Sequence, residues 1–160
     1  MQHKMIKQKR QLSDEQALEL LEKGEYGIIA TVGEDNQPYG VPISYVLHDN
    51  HIYCHCALAG HKLSNMKYNE KVSFTVVGKT QPKYEDDDFT THYESTIVFG
   101  KATIVEDKEE KIEALRVLSA KYLPDFMDKF DMAIANSLPG TCVFKISIDH
   151  FTGKAKTEFN

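Results

Sequence analysis

Apolar and polar residues alternate along much of this chain with a period of two, which is typical of half-buried β-strands. From residue 39 to residue 47 every odd position is apolar, whereas two prolines and a glycine occupy even positions between 38 and 46. Residues 26–32 are apolar on both faces, as in a strand that is buried on both sides. The pattern predicts six strands, at residues 26–32, 37–47, 51–57, 71–77, 90–105 and 141–151.

Helical spacing occurs at the margins of these strands. Ser13 followed by Gln16 is a capping-box pattern, and Pro124 is a natural end for a helix. The spacing predicts helices over Asp14–Lys23, residues 60–69 and residues 107–123, with a fourth beginning at Asp125. Six strands with three or four peripheral helices indicate a mainly β member of the α+β class, built on an antiparallel barrel.

Three polar segments are predicted to lie outside regular structure. Residues 1–11 are basic and are expected to form a mobile arm or to lie across a partner. Residues 80–88, which include an acidic run, predict a surface loop, and residues 152–160 predict a polar tail. Gly100, inside the long strand at 90–105, is expected to mark a β-bulge or a bend.

Length and composition exclude several classes of protein. At 160 residues the chain is interpreted as a single domain, residues 1–160, with a core of its own. A net charge of −5 argues against a general nucleic-acid binder. No apolar run reaches the roughly 20 residues that span a bilayer, and residues 1–10 lack the apolar part of a signal peptide. Three cysteines, an odd number, favour a reducing compartment, so we expect a cytoplasmic protein.

The sequence Cys54-His55-Cys56 suggests metal binding at first sight, but its spacing argues against it. Successive side chains of a strand point to opposite faces. Cys54 and Cys56 therefore point away from His55 and cannot converge with it on one ion. We expect buried thiols and no metal site.

The most informative stretch runs from residue 38 to residue 67. Pro42 cannot donate a ladder hydrogen bond, which leaves nearby backbone groups free to meet a planar polar ligand; a protected edge strand is the alternative. Gly60, His61 and Lys62 begin a short helix whose free N–H groups and lysine charge can hold an anion; an ordinary surface helix is the alternative. Together they predict a small ligand with a phosphate at one end.

His55 is a candidate proton donor, and a hydrogen-bonded structural histidine is the alternative. The chain has no nucleophile elbow, no serine–histidine–carboxylate arrangement, no dinucleotide fingerprint and no P-loop. Hydrolase and nucleoside-triphosphatase functions are therefore not expected.

Four stretches resemble, in order and spacing, the pyridoxamine-phosphate-oxidase-like FMN-binding split-barrel proteins, and among them the 5-nitroimidazole-resistance branch. They are GEYGIIATVGEDNQPYGVPISYV, IYCHCALAGHKLSNMKYNEKVSFTVVG, YESTIVFGKA and DHFTGKAK, which span nearly the whole chain. The resemblance implies a homodimer of split barrels with two FMN molecules in grooves at the subunit interface.

The resemblance also implies a set of site residues. Those that meet the edge of the flavin ring through their backbone are Pro42, Ile43, Ser44 and Tyr45. Those that line the ring and the ribityl chain are His55, Cys56 and Ala57. Those that hold the phosphate are Gly60, His61 and Lys62. Those that approach from the barrel wall or from the other subunit are Tyr93, Glu94 and Ser95. His55 also matches the histidine that lies beside the substrate in the nitroimidazole-resistance branch.

One departure from the family pattern argues against oxidation of pyridoxamine phosphate itself. The oxidase grips phosphate with arginines and uses a C-terminal arginine, whereas this chain has no arginine after Arg116 and its tail carries Lys154, Lys156 and Asn160.

The first hypothesis for the function is an FMN-dependent oxidoreductase that passes electrons from a nicotinamide donor to a small planar acceptor such as a nitroimidazole. His55 would donate a proton to the reduced acceptor. The second is a flavin or haem binding protein without turnover, since relatives also bind haem or deazaflavin. A flavin-free interaction domain is the third.

Overall fold

A computed structural model describes residues 4–157 of the protein. Its elements in chain order are α1 (Asp14–Lys23), β1 (Gly27–Val32), β2 (Pro38–Ile43), β3 (Tyr45–His48), β4 (His51–Cys56), α2 (His61–Tyr68), β5 (Lys71–Glu85), β6 (Asp88–Ile104), α3 (Lys108–Tyr122), α4 (Phe130–Ser137) and β7 (Cys142–Lys156). Short 3-10 turns occur at Gln8–Arg10, Pro124–Lys129 and Leu138–Gly140.

All seven strands belong to one antiparallel sheet with the order β2-β1-β5-β6-β7-β4-β3. β2 and β3 are consecutive in the chain, yet they lie at opposite edges of the sheet and are separated only by Ser44. The sheet therefore curls until its two edges meet at Ser44, which produces the split barrel. The mainly β, α+β fold predicted from the sequence is confirmed.

The core fills the barrel because alternate residues of each strand point inward. Its largest fully buried side chains are Tyr45, Phe74, Phe144, Leu21, Ile29, Ile52 and Ile146. Helix α1 closes one end, where Thr96 donates a 2.9 Å hydrogen bond from Oγ1 to the Ala17 carbonyl. The predicted capping box is present, since Ser13 and Gln16 each bond the other's backbone N–H.

A second, smaller apolar cluster lies between the sheet and helices α3 and α4. Its buried members are Tyr53, Val105, Ala114, Leu115, Phe130 and Val143. Tyr53 also donates a 2.8 Å hydrogen bond to Glu110 on α3. Among the helices within residues 4–157, none is both long and apolar enough to span a membrane.

The prediction of one strand over residues 37–47 was wrong at its centre. Ser44 separates β2, which pairs with β1, from β3, which pairs with β4. Residues 37–47 show an unbroken period of two because both halves bury one face. Only the pairing partners reveal that the chain turns a corner there.

The prediction of a surface loop over residues 80–88 was also wrong. β5 continues to Glu85 and pairs with β6 through a hairpin that includes Glu85 opposite Asp88. Asp86 and Asp87 both have positive φ, 50° and 58°, which suits the tight two-residue turn of a hairpin. The acidic run therefore forms a turn, which its polarity alone does not distinguish from a loop.

Glu85, in the acidic run, takes part in a small cluster of polar contacts. His92 Nε2 and Lys156 Nζ each donate a 2.8 Å hydrogen bond to its Oε1 atom. These two bonds lower the pKa of Glu85 from its ordinary value of 4.5 to about 2, with Lys156 the larger cause. The cluster connects the β5–β6 hairpin to the end of β7.

Replacing Glu85 with glutamine is expected to change the pH dependence of stability. A carboxyl group whose pKa is lowered by folding stabilises the folded protein at pH values above its ordinary pKa. This contribution is lost as the pH falls from 4.5 towards 2. E85Q should therefore unfold at lower urea than the parent at about pH 6, and the difference should narrow at about pH 3. Asp86→Asn, at the exposed turn, is the control, and its stability relative to the parent should be the same at both pH values. A difference in stability between E85Q and the parent that stays constant with pH would contradict the role of Glu85.

The two predicted terminal segments are more ordered than expected where they are described. β7 extends to Lys156 and pairs with β6, so residues 152–156 belong to a strand rather than to a tail. Gln11 forms an isolated bridge to Lys154, and the Leu12 N–H donates a 3.0 Å bond to the Gly153 carbonyl. The ends of the two segments, residues 1–3 and 158–160, which include Asn160, lie outside the described residues.

The predicted fourth helix begins later than expected. Residues 124–129 form a 3-10 turn, and α4 begins only at Phe130. The expected irregularity at Gly100 is present, but the extra residue lies on the partner strand. Phe99 pairs with His150 and Gly100 with Ile148, so Asp149 of β7 has no partner on β6.

Candidate functional site

The start of helix α2 is open to a ligand. Gly60 is its N-cap residue and has φ +145°, a conformation that side chains rarely adopt. A Cβ atom at Gly60 would meet nothing within 4 Å. No side chain caps this helix, so its first N–H groups have no side-chain acceptor among the described residues. Lys62, in the first turn, is half-buried and adds a positive charge.

Helix α2 is held against the β1–β2 hairpin by a buried polar contact. Asn65 donates a 3.1 Å hydrogen bond from Nδ2 to Thr31 Oγ1, which in turn donates to the Tyr39 carbonyl at 3.3 Å. The ring of His61 stacks on the ring of Tyr39 with 4.1 Å between centroids. These contacts place the Gly60–Lys62 turn beside β2.

β2 offers its outer edge to the same side. Within the described residues it pairs only with β1, so the outward backbone groups of β2 have no strand partner. Pro42 lies in this strand, opposite Ile28. From Tyr39, where His61 stacks, to Ile43 is four residues, or about 13 Å of extended chain. An elongated ligand can therefore contact both the start of α2 and the far end of β2.

The corner at Ser44 and Tyr45 is closed by a residue that the sequence did not single out as functional. The Tyr45 N–H donates a 3.0 Å hydrogen bond to the hydroxyl of Tyr122, on α3. That hydroxyl lies 2.9 Å from the Tyr45 carbonyl and 2.7 Å from the Glu25 carbonyl, either of which can accept its proton. The backbone N–H of Tyr45, one of the groups expected to meet a ring edge, already has a partner in this chain.

The side chain of Tyr45 is a core residue rather than a ligand contact. It is fully buried, donates to the Leu21 carbonyl and packs edge-on against Phe74, with 4.9 Å between ring centroids. Burial raises the pKa of its hydroxyl. Lys121 Nζ lies 4.0 Å from the centre of the Tyr45 ring and donates to the Gly24 carbonyl at 2.7 Å.

An open cavity of about 660 Å³ adjoins this corner. It is lined by Glu22, Lys23, Glu25, Tyr26, Ser44, Lys121 and Tyr122. Of the predicted site residues only Ser44 borders it. The cavity therefore lies at the end of the expected groove rather than along it.

His55, Cys56 and Ala57 do not present their side chains to one face. His55 and Ala57 are exposed, whereas Cys56 is half-buried beside Cys142. The predicted separation of His55 from the two neighbouring thiols is confirmed. Among residues 4–157, no three histidine, cysteine or acidic side chains are grouped to hold a metal ion.

Tyr93, Glu94 and Ser95 lie away from the other predicted site residues of the same chain. β6 is the third strand from β2, or about 14 Å across the sheet. Glu94 accepts a 3.1 Å hydrogen bond from the Lys79 N–H. The fold of this chain thus brings Gly60–Lys62 to β2, but it does not bring the β6 residues to them.

Tyr93 has two cationic neighbours. Burial by itself raises the pKa of its hydroxyl, but hydrogen bonds to Arg10 and Lys154 and the charges of both side chains lower the pKa overall. Arg10 belongs to the segment expected to be a mobile arm. Its place at Tyr93 was not predicted from the sequence, because a basic N-terminal stretch gives no indication of its contacts.

A family model described as pyridoxamine 5'-phosphate oxidase matches residues 13–155, which is most of the chain. The chain belongs to this family. Among curated protein sequences, none matches it. The family match covers both the start of α2 and the β6 residues.

Solved structures share the fold of this family member. A crystal structure of a candidate 5-nitroimidazole antibiotic resistance protein from Bacteroides thetaiotaomicron has a TM-score of 0.76 at 21% identity, over 91% of this chain and 86% of that one. A FAD-binding protein from Mesorhizobium loti gives 0.69 at 24% identity, over 92% and 98%. A FAD and haem binding protein from Mycobacterium smegmatis gives 0.79 at 18% identity, over 92% and 73%.

Proposed function

We propose that this member of the pyridoxamine 5'-phosphate oxidase family binds FMN and passes electrons from a nicotinamide donor to a small planar acceptor, such as a nitroimidazole. The observation that carries the proposal is the open start of α2, at Gly60, beside the unpaired edge of β2. That arrangement suits a ligand with a phosphate at one end and a planar polar ring at the other.

The residues present fit FMN at both of its ends. The free N–H groups at the start of α2 and the charge of Lys62 would hold the phosphate, and the missing side chain of Gly60 leaves room for it. The outward backbone groups around Pro42 and Ile43 would bond the ring edge, since Tyr45 contributes no free N–H. When bound, FMN would supply the electron transfer, and His55, which is exposed, would donate a proton to the acceptor.

The complete site is proposed to need a second copy of the chain. The outer face of the barrel exposes apolar side chains, with Ile28 37% exposed, Val77 53% and Phe99 39%. Exposed apolar residues on one face mark an association surface. A dimer across this face would cover them, and it would bring Tyr93, Glu94 and Ser95 of the partner subunit towards the groove. The three unpaired thiols suit the cytoplasm, where we place the protein.

The absorption spectrum and the particle mass of the purified protein test this proposal. We expect a flavin spectrum, one FMN per chain released on denaturation, and a dimer by light scattering. Reduction by NADH or NADPH in a stopped-flow instrument, followed by reoxidation with a nitroimidazole, would demonstrate turnover. A monomer at micromolar concentration, or a colourless protein that takes up no FMN, would overturn the proposal.

A flavin or haem binding protein without turnover is the second candidate. Its support is the fold shared with a FAD and haem binding protein, together with an exposed histidine, His55, that can serve as an axial ligand. A haem spectrum, or a bound flavin that neither nicotinamide reduces, would favour this function over the reductase.

Lys62→Gln is expected to weaken FMN binding by about 10-fold to 100-fold, because a hydrogen bond to a charged group contributes roughly 1.5–3 kcal/mol. Riboflavin has no phosphate, so its affinity should be the same for the variant and the parent protein. Fluorescence titration of the flavin-free protein with each ligand measures both effects.

Lys67→Gln is the matched control for this prediction. Lys67 lies in the last turn of the same helix and is exposed, so its replacement removes one charge without touching the start of α2. K67Q should bind FMN as the parent does. Equal losses of FMN and riboflavin affinity in K62Q would show that Lys62 does not hold the phosphate.

A further inference from the structure

Cys56 and Cys142 lie directly opposite each other on neighbouring antiparallel strands. They form the last pair in the register between β4 and β7. Residues in such pairs have Cα atoms about 4.5–5.5 Å apart. Disulfide bonds connect residues whose Cα atoms are about 4.4–6.8 Å apart, so the backbone already satisfies this requirement.

The two thiols are also close in space. Directly opposed residues of a sheet share one face, and the nearby Cys142 thiol raises the pKa of Cys56. Cys142 is only 8% exposed, whereas Cys56 is half-buried and reachable. Cys54, the third thiol, is fully buried two positions further along β4 and pairs with Phe144.

The pair lies at the base of the segment that leads to α2. β4 ends at Cys56, and residues 57–59 connect it to Gly60. Lys62, from the first turn of α2, is close enough to favour the charged form of the Cys56 thiol. An event at this pair is therefore adjacent to the residues that position the start of the helix.

We propose that Cys56 and Cys142 form a reversible disulfide bond when the protein meets a peroxide. The bond would join the end of β4 to the start of β7, at the base of the Gly60–Lys62 turn. This modification site goes beyond the proposed flavin function and does not depend on it, because it requires only the two thiols and the oxidant.

The reaction balances with hydrogen peroxide as the two-electron oxidant. The Cys56 thiolate attacks one peroxide oxygen and breaks the O–O bond, which yields a sulfenic acid and water after protonation. The sulfur of Cys142 then attacks the Cys56 sulfur and displaces its oxygen as a second water. Two thiols are oxidised to one disulfide, and both peroxide oxygens are reduced to water.

The reaction is expected to be slow at neutral pH. Burial raises the pKa of Cys56 to about 11, against the opposing charge of Lys62 and with a further increase from Cys142. The thiolate is the reactive form, so the rate should rise about tenfold per pH unit between neutral pH and about pH 10. The charged or titratable groups that act on Cys56 are Lys62 from α2 and Cys142 from β7, with Cys54 beside them on β4.

Thiol labelling of the intact protein tests the proposal. The untreated chain should take up three maleimide labels after denaturation, one for each cysteine. After hydrogen peroxide it should take up one label, at Cys54, and peptide mapping should recover Cys56 linked to Cys142 within one chain. Dithiothreitol should restore all three labels. A chain that keeps three labels, or a link that involves Cys54 or a second chain, would overturn the proposal.

Two substitutions extend the test. Cys142→Ser should leave Cys56 without its partner, so peroxide should carry Cys56 to sulfinic acid, with a mass gain of two oxygens and no disulfide. Lys62→Gln should slow disulfide formation about threefold at equal pH by removing the nearby charge, whereas Lys67→Gln should not change the rate. If peroxide leaves the labelling of both remaining cysteines in C142S unchanged, the proposed reaction of Cys56 is contradicted. If C142S fails to fold, the labelling of the wild-type chain decides the question.

Discussion

Replacement of His55 with alanine is expected to slow the reoxidation of the reduced flavin by a nitroimidazole about 100-fold, and to leave flavin binding and reduction by the nicotinamide unchanged. A positioned proton donor typically contributes about 100-fold or more. His55 is exposed on the face of β4 opposite Cys54, so alanine removes the imidazole without opening a cavity in the core. Stopped-flow measurement of the two half-reactions separates the two effects.

His51→Ala is the control for this prediction. His51 lies four residues earlier on the same strand and the same face, and its Nδ1 atom contacts the Asp49 carbonyl at 2.8 Å. H51A should reduce the acceptor at the parent rate. Added imidazole should recover part of the H55A rate if the lost group is a proton donor. Full turnover in H55A with flavin bound would refute the proton-donor role and leave the binding proposal intact.

Gly100→Ala is expected to destabilise the protein by about 3 kcal/mol or more, which makes it the largest stability effect predicted here. A Cβ atom at Gly100 would lie 1.9 Å from the Ser147 carbonyl oxygen. That oxygen belongs to the backbone of β7, where the ladder limits its movement, so the clash cannot be relieved by rotating a side chain. The free energy of unfolding in urea, compared with the parent protein, measures the effect.

Gly140→Ala provides the matched control for Gly100→Ala. A Cβ atom at Gly140 would meet nothing within 4 Å, and the residue does not have positive φ. The same chemical change should therefore alter stability by less than about 0.5 kcal/mol. If G100A and G140A unfold at the same urea concentration, the backbone of β6 at Gly100 does not lie close enough to β7 to exclude a side chain.

The sequence predicted correctly those features that depend on residues close together in the chain. Ser13 and Gln16 specify the start of α1 because the capping box is completed within one turn. Leu63 and Met66 are buried as the spacing in α2 requires. Gly100 indicates a bulge because an isolated glycine in a long strand lacks a side chain to pack. For these features, neighbouring residues provide most of the relevant contacts.

The wrong predictions share a different physical cause. Residues 80–85 and 152–156 are polar, yet they form strands because β5, β6 and β7 satisfy one another's backbone hydrogen bonds. Polar side chains do not prevent strands from pairing when they lie on the solvent-exposed face of the sheet. The same long-range pairing decides that β2 and β3 separate at Ser44, which no alternation of side chains can indicate.

The candidate site divides in the same way. The order of adjacent residues was enough to predict the mainly β fold, the start of α2 at Gly60 with the charge of Lys62, and the separation of His55 from the neighbouring thiols. Three other features became visible only in the folded chain: α2 lies beside β2, the Tyr122 hydroxyl accepts a hydrogen bond from the Tyr45 N–H, and Cys142 lies opposite Cys56. These contacts join residues far apart in the chain, where folding rather than spacing sets the distance.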